Sequence, residues 1–146
     1  GNYINSILAL REALDAGCEE ALMLDNEGYV AEGSGENVFV VRDGKIYTPE
    51  LTSCLEGITR DSIFRIAADL GYEIKERRIT RDEFYVADEA FFTGTAAEVV
   101  PIRELDGRAI GTGARGPLTQ KLQAIYFDTV RGQEAQYGDW LTAVSE

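Results

Sequence analysis

Val38-Phe39-Val40-Val41-Arg42-Asp43-Gly44-Lys45-Ile46-Tyr47 reads as two apolar runs joined by Asp-Gly. Asp-Gly between such runs is a strong hairpin signal, because both residues tolerate the positive φ that a tight two-residue turn requires. Two strands therefore lie in the first third of the chain, and the rest is read outward from them. Toward the N-terminus, Gly33-Ser34-Gly35 forms a glycine-rich corner. Before it, Ala21 to Leu24 and Tyr29 to Ala31 read as paired strands, with Asp25 to Gly28 as their turn. Earlier still, Ile4, Ile7, Leu8 and Leu14 fall at helical spacing between Tyr3 and Ala16, and Gly17 is placed to stop that helix.

Toward the C-terminus, Pro49 to Gly57 reads as a loop. Thr59 is placed to cap a helix whose apolar positions are Ile63, Ile66, Ala67 and Leu70, ended by Gly71. Tyr72 and Ile74 alternate with charges as a half-exposed strand, and Thr80-Arg81-Asp82-Glu83 matches a capping box before a short helix. Ala90 to Thr93 is a strand of buried type that runs into Gly94-Thr95-Ala96-Ala97. A second Asp-Gly, Asp106-Gly107, lies between Val99–Ile102 and Arg108–Ile110. Gly116-Pro117 opens the last helix, with Leu118, Leu122, Ile125, Tyr126 and Val130 as its stripe and Gly132 as its stop. Trp140 and Leu141 are expected to pin the tail. Hairpins mixed with helical crossovers predict an α/β fold: a mixed, curled, barrel-like sheet with outer helices.

Composition narrows the function. The 146 residues make one domain, large enough for a real core. A net charge of −12 argues against nucleic acid and anionic membrane as partners, since both need clustered Lys and Arg. No apolar run approaches the roughly 20 residues of a membrane helix. The absence of His removes Ser-His and Cys-His nucleophile systems, imidazole bases and most zinc enzymes. Cys18 and Cys54 suggest neither a metal site nor a disulfide framework, and two free thiols fit a reducing cytoplasm. Gly1-Asn2-Tyr3 runs at once into the first helix, so a boundary cut through a larger protein is expected, with a processed terminus or tag remnant as the alternative.

Three corners are candidates for chemistry. Gly57-Ile58-Thr59 opens a helix, where unpaired N–H groups and the helix dipole welcome an anion. Gly94-Thr95-Ala96-Ala97 ends a buried strand with small side chains, so a ligand can approach its backbone. Glu32 meets the third corner, Gly33-Ser34-Gly35, where a carboxylate is costly unless paired with a cation. Each also has a plainer reading: a capped helix, a tight turn, a solvent-facing strand end. Two anion cradles and an acid suit a ligand with a phosphate and a protonated ring nitrogen, which describes pyridoxal phosphate.

Asn2-Tyr3, Glu32-Gly33-Ser34-Gly35-Glu36-Asn37-Val38-Phe39, Gly57-Ile58-Thr59-Arg60-Asp61 and Gly94-Thr95-Ala96-Ala97-Glu98 resemble the signature blocks of fold-type IV pyridoxal-phosphate aminotransferases. The branched-chain amino acid aminotransferases match best, and the likeness runs the full length. The resemblance implies a C-terminal cofactor-binding domain over residues 1–146, lacking its N-terminal domain. It assigns Glu32 to the pyridinium nitrogen, Tyr3 to the 3′-oxygen, Leu55 to the ring face, and Ile58, Thr59 and Thr95 to the phosphate. Thr95 and Ala96 would also meet the substrate carboxylate. The family's Schiff-base lysine would lie just upstream of Gly1, and Lys45, Lys75 and Lys121 do not fit that role. The whole enzyme would transaminate Leu, Ile and Val with 2-oxoglutarate, as a homo-oligomer in the cytoplasm, while this chain alone would be inactive. D-Amino acid transaminase and aminodeoxychorismate lyase share the fold, but the Gly94 to Glu98 block and the Glu36-Asn37 pair favour the branched-chain type. A non-catalytic phosphate-binding domain remains the alternative from another class.

Overall fold

The structure is a computed structural model that describes residues 3–144. The chain forms α1 (Ile4–Asp15), β1 (Leu22–Leu24), β2 (Val30–Gly33), β3 (Asn37–Arg42), β4 (Lys45–Thr48), α2 (Ile58–Asp69) and β5 (Ile74–Glu76). There follow α3 (Arg81–Tyr85), β6 (Glu89–Gly94), β7 (Glu98–Pro101), β8 (Glu104–Leu105), β9 (Arg108–Ala109), α4 (Pro117–Val130) and a terminal 3-10 helix, Ala135–Trp140. Both Asp-Gly pairs make the expected turns: Asp43 and Gly44 have φ of 50° and 69°, and Asp106 and Gly107 have 51° and 73°. The second turn joins β8 to β9, not to the Val99–Ile102 run.

The main sheet has the order β5-β4-β3-β6-β7. Its pairs are antiparallel except β4–β5, which is parallel and therefore needs a crossover, supplied by α2. The expected barrel-like curl is not present: the sheet is open, with β5 and β7 at its edges, and β1–β2 and β8–β9 form separate two-stranded ribbons. The α/β class and the outer helices hold.

Alternation along β3 and β6 explains the packing. Phe39, Val41 and Phe91 face α2 and α4 and bury against Ile63, Ile66, Ala67, Leu118, Leu122 and Tyr126. Val38, Val40, Ala90 and Phe92 face the other way, onto Val30, Ile79, Phe84, Ala87 and Ile110. Both faces are covered, so the two central strands read as unbroken apolar runs. Phe39 and Phe91 are register partners, and their rings stack at 4.9 Å and 7°. Each such fully buried ring contributes about 2 kcal/mol by area.

Helix starts differ from expectation at one important place. The N-cap of α2 is Gly57, not Thr59, and no side chain caps it. Thr59 lies one residue inside the helix, is buried, and its hydroxyl sits 3.4 Å from the Tyr126 hydroxyl on α4. α4 also starts after a glycine, Gly116, with Pro117 at its first position. There, however, Glu89 of β6 takes the orphan donors: its carboxylate accepts from Leu118 N–H at 3.0 Å, Thr119 N–H at 2.7 Å and the Thr119 hydroxyl at 2.7 Å. A Cβ at Gly116 would come within 2.1 Å of Glu89 Cδ, so only glycine leaves room for this cap.

Candidate functional site

Tyr3, Glu32, Leu55, Ile58, Thr59 and Thr95 line one cleft of about 160 Å³, although they come from separate places along the chain. Ser34, Gly35, Glu36, Asn37, Gly57, Thr93 and Gly94 complete its wall. Ala96 does not line it; it is exposed in the turn between β6 and β7. Asn2 lies outside the described residues. The three lysines, Lys45, Lys75 and Lys121, are exposed and none lines the cleft.

The carbonyl ends of β2 and β6 and the start of α2 converge here for local reasons. At the end of β2, Gly33 N–H donates to Glu36 O at 2.7 Å, closing a tight corner before β3. Asn37 opens β3, is buried, and donates through Nδ2 to Leu55 O at 2.7 Å, tying the loop before α2 to the sheet. A Cβ at Gly57 would sit 2.1 Å from Asn37 Oδ1, so the glycine there is required for space, its φ of −77° being ordinary. In the first turn of α2, buried Arg60 pairs with Glu76 of β5, donates to Pro49 O at 3.3 Å and lies over the Phe64 ring at 4.7 Å. These ties hold the N-terminus of α2 against the cleft with its first N–H groups unclaimed by any side chain. The positive end of the dipole is thus left for an anion, in contrast to α4.

Glu32 Oε2 accepts from Leu55 N–H at 3.0 Å. Burial raises the pKa of this carboxyl above its ordinary value, and the Leu55 N–H opposes that only in part. Such a group gains from a cationic hydrogen-bond partner in the cleft. Leu55 and Ile58 are exposed, Ile58 by 81%, and place apolar side chains at the mouth. Glu98, closing the turn after Thr95, adopts a left-handed φ of 59°. A non-glycine residue there is uncommon and marks a backbone held by its surroundings.

Sequence reasoning gave no role to Glu36 or Thr93. Thr93 Oγ1 and Glu36 Oε2 are both buried without a hydrogen-bond partner. The alternation of β6 was the available signal for Thr93, which points with Phe91 toward the helices. Glu36 entered the sequence reading only through the Glu36-Asn37 pair that favours the branched-chain type, with no contact assigned to it.

The arrangement has close counterparts. The profile of the family Amino-transferase class IV matches residues 1–105. A branched-chain-amino-acid aminotransferase of Pseudomonas aeruginosa is 64% identical over 144 residues, covering 99% of this chain and 47% of that protein. One of Escherichia coli K12 is 44% identical over 147 residues, covering 100% of this chain and 48% of that protein. The crystal structure of the branched-chain amino acid aminotransferase from Thermobaculum terrenum, in its PLP-bound holo form, superposes with a TM-score of 0.93 at 48% identity, over 97% of this chain and 47% of that one. The chain spans about half the length of the curated relatives it matches. It belongs to the class IV aminotransferases.

Proposed function

We propose that this chain is the cofactor-binding half of a branched-chain amino acid aminotransferase that uses pyridoxal 5'-phosphate, and that the other half supplies the catalytic lysine and much of the substrate pocket. The observation that carries this reading is the convergence of an uncapped helix N-terminus and a half-buried carboxyl on one cleft. The donor set fits a phosphorylated pyridine. The N–H groups of Ile58 and Thr59, with the Thr95 hydroxyl, suit the phosphate. Glu32 suits the ring nitrogen, Leu55 the ring face and Tyr3 the 3′-oxygen. Bound there, the cofactor supplies an electron sink for a carbanion at the amino acid Cα. Glu32 would hold a proton on the ring nitrogen, which keeps that sink effective. The turn at Thr95 and Ala96 would orient the substrate carboxylate.

The N-terminal half would also cover α1, whose Ile4, Ile7 and Leu8 are 59%, 64% and 62% exposed. No helix among the described residues is long and apolar enough to cross a membrane. A cytoplasmic, homo-oligomeric enzyme handling branched-chain amino acids and 2-oxo acids completes the proposal.

The test is a pyridoxal phosphate titration of the full-length protein, wild type and Glu32→Ala, with transamination of L-Leu and D-Ala assayed beside it. Binding that weakens about tenfold or more in the variant, with turnover of L-Leu but not D-Ala, is expected. Absence of cofactor binding in the wild type would overturn the reading. Equal binding by both proteins would overturn the role of Glu32.

A further inference from the structure

Glu36 is an acid in an unusual position. Its side chain crosses the glycine backbones that end two strands of the cleft. A Cβ at Gly33, the end of β2, would meet Glu36 Oε2 at 2.8 Å. A Cβ at Gly94, the end of β6, would meet Glu36 Cγ at 3.2 Å. The first strand carries Glu32 and the second leads directly to Thr95, so Glu36 lies between the acid and one anion cradle. Its Oε2 is buried and receives no hydrogen bond from the described residues.

The charged group facing it is Glu20, from the segment before β1. Glu20 Oε1 accepts from Ala21 N–H at 2.6 Å and from Ser34 N–H at 3.1 Å. β6 presents Gly94 and Phe92 on its side, and the corner presents the Gly35 N–H. Among the described residues, neither carboxyl is within ion-pair distance of Lys or Arg. A second carboxyl beside a buried one disfavours ionisation, so a proton is retained to higher pH than usual. Burial and the facing Glu20 carboxyl favour the protonated form of Glu36.

We propose that Glu36 is a positioning residue: as a carboxylic acid it donates a hydrogen bond to the Glu20 carboxylate and clamps the Ser34-Gly35 corner against Gly94, fixing Glu32 and Thr95 relative to each other. The proposal rests on the cofactor reading above. Burial chiefly, then the charge of Glu20 and the hydrogen bond with it, raise the Glu36 pKa to about 7, against a small opposing effect of the Gly35 N–H. The sign follows. Below that value the proton is held and the clamp is closed. As pH rises through it, Glu36 loses that proton, the hydrogen bond is lost, and the clamp opens.

The experiment uses the full-length protein, wild type, Glu36→Gln and Glu36→Ala, titrated with pyridoxal phosphate from pH 6 to 9. Glutamine keeps the shape and a donor but has no proton to lose. Relative to Glu36→Gln, wild-type affinity should fall about tenfold across this range, the worth of one charge-assisted hydrogen bond. Glu36→Ala should be weak at every pH. In the cofactor-free proteins, raising pH from 5.5 to 8 should lower the wild-type melting temperature by about 5 °C more than that of Glu36→Gln. Identical pH profiles for wild type and Glu36→Gln, or wild-type affinity in Glu36→Ala, would overturn the clamp while leaving the cofactor reading intact. A wild type that takes up no cofactor at any pH would overturn both.

Discussion

Gly57 shows how much of the cleft depends on a missing methyl group. Alanine there would press on Asn37 Oδ1, and Asn37 is buried and already bound to Leu55 O. It cannot swing aside without releasing the loop that presents Leu55 to the cleft. Gly57→Ala should destabilise the chain by about 2 kcal/mol and weaken cofactor binding with it; a denaturant titration and a pyridoxal phosphate titration measure the two. Cys54 responds to the same neighbourhood. Burial first, then the charge of Glu32, push its thiol up to about 11, with Arg60 opposing and Glu76 adding. At pH 8 almost none of it is thiolate, whereas Cys18 is exposed. Iodoacetamide at pH 8 should therefore label Cys18 and spare Cys54 in the folded chain, as peptide mass spectrometry would read. Labelling of both at equal rates would contradict the burial of Cys54. The place of Glu32 in the cleft was legible in advance: an acid at a glycine corner needs a reason. That of Glu36 was not, because its neighbours at Gly94 and Glu20 are brought to it only by the folded chain.

The elements that sequence locates most clearly are those whose signal is local. Asp43-Gly44 and Asp106-Gly107 adopt the positive φ that their residue types permit. Glu83 accepts from Thr80 N–H at 2.9 Å, as the capping box requires. Gly17, Gly71 and Gly132 follow α1, α2 and α4 with φ between 72° and 82°. Misreadings came where the partner is distant. Thr59 resembles a cap, but Gly57 takes that position and the hydroxyl turns inward to α4. The parallel β4–β5 pair and the open order of the sheet leave no local trace. The cap of α4 is supplied across 29 residues by Glu89. Removing that carboxylate strands two amides and a hydroxyl in a buried place. Glu89→Ala should cost about 3 kcal/mol and lower the melting temperature by roughly 10 °C, with Glu89→Gln intermediate; calorimetry decides. A loss below about 1 kcal/mol would mean that water replaces the cap.

At the scale of the whole molecule, α1 is an amphipathic helix with no core beneath it: none of its residues is buried. Its periodicity was readable, yet the surface it faces was not, since that surface is proposed to lie in the other half of the protein. The isolated chain carries an apolar stripe and a net charge of −12 together. Hydrophobic contact draws copies together while like charge holds them apart. Sedimentation should therefore show association that grows as salt rises from about 20 to 300 mM, because the repulsion is screened over that range. The double variant Ile7→Lys, Leu8→Glu should stay monomeric throughout. Glu89 ties the layers of this molecule together in a further way. First-turn amides of a helix have no carbonyl partner and ordinarily exchange quickly with solvent deuterium. Those of Leu118 and Thr119 are held instead by a carboxylate belonging to the sheet. Their exchange rates thus report on the seating of β6, and any opening of the strand that leads to Thr95 is timed by two amides on a helix it never pairs with.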